Sequence, residues 1–194
     1  MDWSPRIHSG FKLHRRKFIK CSVAVATTCS FPHLIYANSN ASSNASSPER
    51  TLEFINLHTD ETLSSCYWAN GVYDENSLNE INQILRDHRA NEIYAMDTRL
   101  IDLLHTLHAM TESKAPFHII SGYRSPQTNE KLRKQGSGVA KRSLHMQGKA
   151  IDVRLPDVKL SKLRDAAISL EAGGVGYYAK SNFIHLDIGK PRSW

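Results

Sequence analysis

Residues 143–155 read SLHMQGKAIDVRL. This stretch predicts a strand and shows which side chains lie on each of its two faces. Residues 149–155 alternate between apolar and other side chains, which is typical of a strand with one buried face. Asp152 belongs to the face opposite the apolar one. His145 lies seven positions earlier, and Gly148 between them allows a turn. We therefore expect the His145 side chain to fold back toward Asp152.

A second strand with the same alternation is indicated by residues 181–189, which read SNFIHLDIG. One face is aliphatic, and the other carries Phe183, His185 and Asp187. If this strand lies beside residues 150–155, then His145, Asp152 and His185 face one cleft. Two imidazoles and a carboxylate leave a fourth tetrahedral position for water, which is the arrangement of a catalytic zinc site. The alternative for either histidine alone is a half-buried residue held by hydrogen bonds.

A third segment, residues 117–126, reads FHIISGYRSP and predicts a short apolar strand that ends in a sharp loop. Arg124 follows the strand directly. Its guanidinium presents a planar fork of donors, which suits a carboxylate or a carbonyl oxygen. Arg124 is therefore a candidate for binding a negatively charged group.

The rest of the chain predicts an α+β fold, with helices packed on one side of a small antiparallel sheet. Strands are expected at 52–57 and 62–68, joined by a turn, and a second turn at Asn70-Gly71. Helices are expected near 77–89, 97–111, 125–134 and 159–170, the first one capped by Ser77 with Glu80 in the reciprocal position. The last strand must lie next to residues 150–155 for the three candidate ligands to meet.

Charge is concentrated at the N-terminus of this 194-residue chain of net charge +6. Residues 1–37 hold six basic residues and one acidic residue, so the remainder carries only +1. This distribution disfavours binding to nucleic acid. The remainder retains a single cysteine, Cys66, which rules out an internal disulfide and is interpreted as buried filler.

The leader has the layout of an export signal, with a basic segment 1–20, an apolar segment 21–36 and a small residue, Ala37. Residues 14–20, HRRKFIK, are similar to the twin-arginine export motif. The apolar run is shorter than the roughly 20 residues that span a bilayer, so a cleaved signal is favoured over a membrane anchor. We expect a signal peptide at 1–37, a flexible polar linker at 38–50, a folded domain at 51–194, and a periplasmic protein without a membrane span after processing.

Taken as a set, the motif Ser143-x-His145-x-x-Gly148-x-Ala150-x-Asp152 and the later Phe-x-His-x-Asp of residues 183–187 resemble the zinc peptidases of the M15 family. That family includes D-Ala-D-Ala carboxypeptidases and peptidoglycan endopeptidases. The stretches 56–59, 121–125, 138–141, 173–178 and 191–194 are similar to its YcbK-like (DUF882) branch. The resemblance covers residues 52–194.

This resemblance implies that His145, Asp152 and His185 bind one Zn²⁺ ion. It implies that Arg124 stabilises the oxyanion or holds a substrate carboxylate, and that Ser143 supports the site. A cleft lined by Tyr123, Tyr177 and Tyr178 is expected to accept two peptide strands.

The general base is the point at which this sequence departs from the family pattern. Many members have Asp or Glu three residues before the last histidine, where this chain has Asn182. Asp187, on the same strand face as His185, is the predicted replacement and would move a proton from water to the leaving amine. The alternative is that Asp187 orients His185.

The resemblance therefore predicts a zinc-dependent peptidoglycan endopeptidase that hydrolyses the peptide cross-links of the bacterial cell wall. Two alternatives stay open: a D-Ala-D-Ala-type carboxypeptidase, dipeptidase or other hydrolase on the same metal, and an inactive cell-wall-binding module, which Asn182 hints at. The expected partners are peptidoglycan peptide stems and the twin-arginine export machinery. We expect a monomer.

Overall fold

The computed structural model describes residues 48–136 and 138–194, so the predicted signal peptide and most of the predicted linker lie outside the described residues. The described residues form four α-helices: α1 Glu75–Ile84, α2 Thr98–Thr111, α3 Pro126–Lys134 and α4 Leu160–Ser169. The eight strands are β1 Arg50–Asn56, β2 Thr62–Ala69, β3 Val72–Tyr73, β4 Phe117–Ser121, β5 Ala150–Arg154, β6 Gly174–Tyr178, β7 Phe183–Asp187 and β8 Arg192–Ser193. Within the described ranges, no helix has the length and hydropathy of a membrane span.

All eight strands form one sheet in the order β3-β2-β1-β4-β5-β7-β6-β8. The α+β class is confirmed, but the prediction of a small antiparallel sheet is wrong, because β1 pairs with β4 in parallel and β6 pairs with β8 in parallel. The β1–β4 pairing is possible because the long connection between them, which includes α1 and α2, brings the chain back to the end of the sheet at which β1 starts, so β4 runs beside β1 in the same direction. The expected neighbour relation is present: β5 and β7 are antiparallel, with Asp152 opposite His185.

Alternation along the central strands separates a core face from a cleft face. The core face of β5 and β7 carries Ile151, Val153, Ile184 and Leu186, all at most 1% exposed. These residues share one apolar cluster with side chains of α1, α2 and α4. The opposite face is therefore left for the polar side chains of the same two strands.

The first helix differs from the prediction at both ends. Asp74, not Ser77, caps it, because the Asp74 carboxylate accepts a hydrogen bond from the Ser77 backbone N–H at 2.7 Å. The helix ends at Ile84 instead of continuing to 89. The Leu85 carbonyl that follows accepts from the backbone N–H of Tyr123 at 2.8 Å, so the segment after α1 binds the loop that carries Arg124.

Candidate metal centre

Three side chains from separate elements converge on the cleft face of the sheet. His145 comes from a 3₁₀ turn, Leu144–Gln147, Asp152 from β5 and His185 from β7. The distance from His185 Nδ1 to Asp152 Oδ1 is 2.9 Å, and His145 Nε2 lies 3.3 Å from the same oxygen. The two imidazole nitrogens are 3.2 Å apart. The residues that the sequence predicted to meet are therefore in mutual contact.

The turn that carries His145 is fixed at both ends by residues of its own motif. Ser143 is buried, and its hydroxyl accepts from the His145 backbone N–H at 3.4 Å. Gly148 ends the turn with φ +63°, and a Cβ there would collide with the carbonyl oxygen of Ala95. Only glycine satisfies both the left-handed backbone and this close approach. Ser143 thus stabilises the start of the turn, and the left-handed backbone of Gly148 directs the chain into β5.

Hydrogen bonds on the outer side of each ring fix which nitrogen faces inward. His145 Nδ1 lies 2.8 Å from the carbonyl oxygen of Gly122, an acceptor only, so this nitrogen carries the proton. His185 Nε2 lies 3.0 Å from Asp187 Oδ2, which likewise accepts. In the neutral rings, the inward nitrogens, Nε2 of His145 and Nδ1 of His185, are therefore the ones whose lone pairs can bind a metal ion.

Two lone pairs and a carboxylate oxygen that face one another repel unless a positive species lies among them. Tetrahedral zinc with ligand bonds of about 2.0–2.1 Å separates its ligand atoms by about 3.3 Å. The observed separations of 2.9, 3.2 and 3.3 Å fit this spacing. Burial alone would raise the pKa of Asp152, but hydrogen bonds from protons on the two histidines hold that pKa well below its usual range, and a bound metal ion would take the place of those protons. The three side chains therefore fit a divalent metal ion.

Asp187 is buried behind His185, and both of its carboxylate oxygens are fully used. Oδ1 accepts from the backbone N–H groups of Gly174 at 3.1 Å and Gly189 at 2.8 Å. Arg192 donates to both oxygens, at 3.1 and 2.6 Å, and His185 donates to Oδ2. Burial opposes the charge, but these hydrogen bonds outweigh it and lower the pKa of Asp187. Asp187 is therefore held as a carboxylate that faces His185.

Arg124 lies beside the ligand cluster with donors to spare. Its Nη2 is 3.3 Å from Ser121 Oγ and 3.6 Å from Asp152 Oδ2, while its buried Nε has no hydrogen-bond partner among the described residues. The residue is 8% exposed, and burial lowers its pKa. Its backbone N–H donates to the His145 carbonyl at 3.2 Å, which ties the two segments together.

The ligand cluster opens into a cleft of about 360 Å³. One part of its lining is aromatic: Tyr178 stacks on Phe183 at 4.6 Å, and Trp194 Nε1 donates to the Tyr178 hydroxyl at 3.0 Å. The Trp194 ring centroid lies 5.4 Å from that of His185. An aromatic wall thus stands next to the candidate metal ligands.

Two of the three tyrosines predicted to line this cleft are elsewhere. Tyr123 is 4% exposed, stacks on Tyr94 and donates to Glu92 at 3.0 Å. Tyr177 points to the other face of β6, where the guanidinium of Arg164 lies 4.7 Å from its ring centroid. Tyr178, one position later, lines the cleft as predicted. Strand alternation could have shown that only one of Tyr177 and Tyr178 lines the cleft, because adjacent residues of β6 face opposite sides of the sheet.

Arg192 and Trp194 contact the site although no role was predicted for either. Both belong to the C-terminal stretch 191–194, which was noted only as a family-like motif. Asn182, the departure from the family pattern, is exposed and has φ +53°, a left-handed conformation that asparagine tolerates better than most residues. Its identity is explained by the backbone at the start of β7.

Comparison with known proteins gives consistent matches. A family model of M15 peptidases, described as peptidoglycan L,D-endopeptidase MepK, matches residues 44–194. The chain is 43% identical over 145 residues to the peptidoglycan L,D-endopeptidase MepK of Escherichia coli K12, covering 75% of this chain and 80% of that protein. It is 40% identical over 146 residues to the probable peptidoglycan L,D-endopeptidase MepK of Haemophilus influenzae, covering 75% and 78%.

One solved structure, the L-Ala D-Glu endopeptidase ChiX of Serratia marcescens, is 19% identical and covers 49% of this chain and 68% of its own. Its TM-score of 0.34 is too low to establish a shared fold. The family match over residues 44–194 and the two MepK relatives do not depend on it. The chain belongs to the M15 peptidase family, in the group described as peptidoglycan L,D-endopeptidase MepK.

Proposed function

We propose that this chain is a zinc-dependent peptidoglycan L,D-endopeptidase that hydrolyses peptide cross-links of the bacterial cell wall. The observation that carries the proposal is the convergence of two inward imidazole nitrogens and one carboxylate oxygen within 3.3 Å of one another, beside an open cleft. The names of the MepK relatives supply the substrate class and the type of bond.

His145, Asp152 and His185 would hold the metal ion. Two imidazole nitrogens and one carboxylate oxygen are a donor set that zinc accepts readily in catalytic sites. When bound, zinc would polarise the scissile carbonyl and lower the pKa of water to near neutrality. The hydrogen bonds from His145 to Gly122 and from His185 to Asp187 hold the two rings so that Nε2 of His145 and Nδ1 of His185 face inward, where each could bind the ion.

Arg124 is proposed to stabilise the negative charge that develops on the carbonyl oxygen. Its guanidinium lies in the same cleft as the ligand cluster, and its ion pair with Asp152, at 3.6 Å, is too long to occupy its donors. A buried donor aimed at a developing charge acts in a medium of low dielectric constant, where its effect is large. The resemblance to the family implied the same role.

Asp187 is proposed to orient His185 rather than to act as the general base. A base must reach the proton of the attacking water. Asp187 is 1% exposed, and five hydrogen bonds already occupy its oxygens, which leaves them poorly placed to take a proton from water. Of the two roles that the sequence left open, the orienting one fits this geometry.

The proposed setting of the enzyme is the periplasm, with peptidoglycan stems as substrate. Export by the twin-arginine machinery and cleavage after Ala37 stay predictions, because residues 1–47 lie outside the part of the chain that the structure describes. The left-handed backbone of Asn182 gives a structural reason for asparagine at this position, and the inactive binding module stays an alternative for the experiment below.

Incubation of the zinc-loaded protein with purified cross-linked muropeptides, followed by mass analysis, tests the proposal. We expect dimers to be converted to monomers by cleavage of an L,D bond, with no release of free D-Ala. The His185→Ala variant should release no product, while His58→Ala, at an exposed histidine outside the site, should behave as wild type. Release of D-Ala alone would identify a carboxypeptidase, and retention of peptidoglycan without products would identify a binding module.

A further inference from the structure

The charges that line the cleft are unbalanced. Three arginines and two aspartates line it: Arg124, Arg142, Arg192, Asp152 and Asp187. Both carboxylates are buried and already bonded to histidines, so neither offers charge to an incoming molecule. A bound divalent ion would add to the positive side. The cleft therefore attracts anions.

Two of the three arginines have structural partners in the cleft. Arg192 binds both oxygens of Asp187 in a bidentate ion pair. Arg124 is buried and lies against Ser121 and Asp152. Both guanidiniums are thus placed by the protein itself before any substrate arrives.

Arg142 differs from the other two because it is exposed and has no hydrogen-bond or ion-pair partner among the described residues. It lies one position before Ser143, which starts the turn that carries His145. Its neighbour Lys141 is also exposed but does not line the cleft. The Arg142 guanidinium is therefore available to donate hydrogen bonds at the cleft, three positions before the candidate metal ligand His145.

The remaining described lining residues include several apolar and aromatic side chains, namely Val139, Leu144, Tyr178, Phe183 and Trp194. These side chains suit the aliphatic parts of a peptide but give no means of recognising charge. Guanidinium forks match carboxylates in a bidentate geometry that a single ammonium does not reproduce. An acidic peptide would thus find apolar contacts and an exposed cationic partner, Arg142, in the same cleft.

We propose that Arg142 is a specificity-determining residue that binds a free carboxylate on the peptide stem next to the scissile bond. This inference rests on the proposed endopeptidase function and specifies its substrate as an acidic peptide. Arg142 contributes binding and selectivity, whereas the metal ligands and Arg124 act on the bond that is cleaved. The chemistry of hydrolysis should therefore proceed without Arg142, at lower substrate affinity.

Two synthetic cross-linked peptides test the inference, identical except that the carboxylate beside the scissile bond is free in one and amidated in the other. Wild type should cleave the free acid with kcat/KM about tenfold above that for the amide. Arg142→Gln should lose this preference through a higher KM for the acid and leave the amide unchanged. Arg142→Lys should retain part of the preference, because the charge remains.

Lys141→Gln is the matched control, since it removes the same charge from the adjacent exposed residue. If Lys141→Gln lowered the acid preference as much as Arg142→Gln, general attraction by the basic loop would replace the specific contact. If wild type cleaved both peptides equally, the inference on Arg142 would be wrong while the endopeptidase function stood. If wild type with zinc cleaved neither peptide nor natural muropeptides, the proposed function itself would fail and the inference with it.

Discussion

The Nε2 atom of His185 lies 3.0 Å from Oδ2 of Asp187, a carboxylate that is 1% exposed. The two residues are separated by one position on β7, so both belong to the cleft face of the strand. Arg192 and two backbone N–H groups hold the carboxylate from behind. His185 can therefore neither rotate nor exchange its tautomer without breaking a buried network, and its Nδ1 stays directed at Asp152.

Asp187→Asn is predicted to weaken metal binding. An amide cannot accept on both sides, so the ring of His185 and the guanidinium of Arg192 lose part of their support. Loss of such an outer partner lowers metal affinity by about 10–100-fold. Competition with a chromophoric chelator measures the change. Asp157→Asn is the control, because Asp157 accepts from Ser113 and Lys114 away from the cleft.

The same variant separates the two roles proposed for Asp187. If Asp187 orients His185, the Asn variant should recover most of its kcat once zinc is saturating. If Asp187 were the general base, zinc affinity would stay at the wild-type value and kcat at saturating zinc would fall by about 10²–10⁴-fold. The latter result would contradict the assignment made from the buried geometry.

Zinc is predicted to stabilise the folded protein, because a metal that binds only the native state adds its binding free energy to unfolding. Free zinc at 100 times its Kd adds about 2.7 kcal/mol. For a folded domain of this size that corresponds to a rise in Tm of about 5–10 °C. Thermal unfolding with and without zinc measures it. His145→Ala should abolish the rise, and His58→Ala should keep it.

Arg124→Lys is predicted to lower kcat by about a hundredfold while KM changes little. Lysine keeps the positive charge but loses the planar fork, and removal of one oxyanion donor costs about 10²–10³-fold in kcat. Steady-state kinetics on a cross-linked peptide measures whether the substitution changes kcat, KM or both. Arg164→Lys, whose guanidinium lies on Tyr177 outside the cleft, should leave both constants unchanged. A rise in KM alone would instead assign Arg124 to ground-state binding.

The candidate metal ligands on β5 and β7 could be predicted from the sequence because apolar and polar residues alternate along each strand. In β5 and β7 every second residue is aliphatic, which fixes the face on which Asp152 and His185 must lie. The pairing of these two strands was predicted from the requirement that the three candidate ligands meet, and the observed register places Asp152 opposite His185. The position of His145 followed from the turn at Gly148.

The features that could not be predicted from the sequence depend on contacts between segments that are far apart along the chain. Arg192 reaches Asp187 because β8 runs parallel to β6, and nothing within residues 191–194 encodes that partner. Tyr123 is drawn into the fold by stacking on Tyr94, a contact between segments that are 29 positions apart. Parallel pairing of β1 with β4 likewise depends on how a long connection packs, which local patterns do not specify.

Replacement of Arg15 and Arg16 by lysine is predicted to leave the protein in the cytoplasm as an uncleaved precursor. The twin-arginine receptor reads the arginine pair itself, so the conserved charge does not substitute for it. Cell fractionation measures the distribution, and N-terminal sequencing of the periplasmic wild-type form should begin at Asn38. Arg6→Lys, in the same leader, is the control. Unchanged periplasmic yield of the double variant would point to a different export route.

The buried carboxylate of Asp87 is predicted to lower the free energy of unfolding at acidic pH, where it becomes protonated. It is 1% exposed and accepts from the N–H and hydroxyl of Ser125 at 2.9 and 2.7 Å. Burial alone would raise the pKa of Asp87, but hydrogen bonds from Thr128, Ser125 and the Arg89 backbone outweigh it and lower that pKa. Because the pKa is lower in the folded state, the stabilisation is complete above the unfolded value of about 3.9 and is lost as pH falls through the folded value.

Urea unfolding of wild type and Asp87→Asn between pH 7 and pH 3 measures this contribution. We expect the variant to be less stable at pH 7, and the gap in the free energy of unfolding to narrow below about pH 4, where the wild-type carboxylate begins to lose its advantage. Asp60→Asn, at an exposed aspartate, should follow wild type throughout. A gap that stayed constant down to pH 3 would show that Asp87 stabilises the loop of Arg124 by shape and packing, independently of its charge.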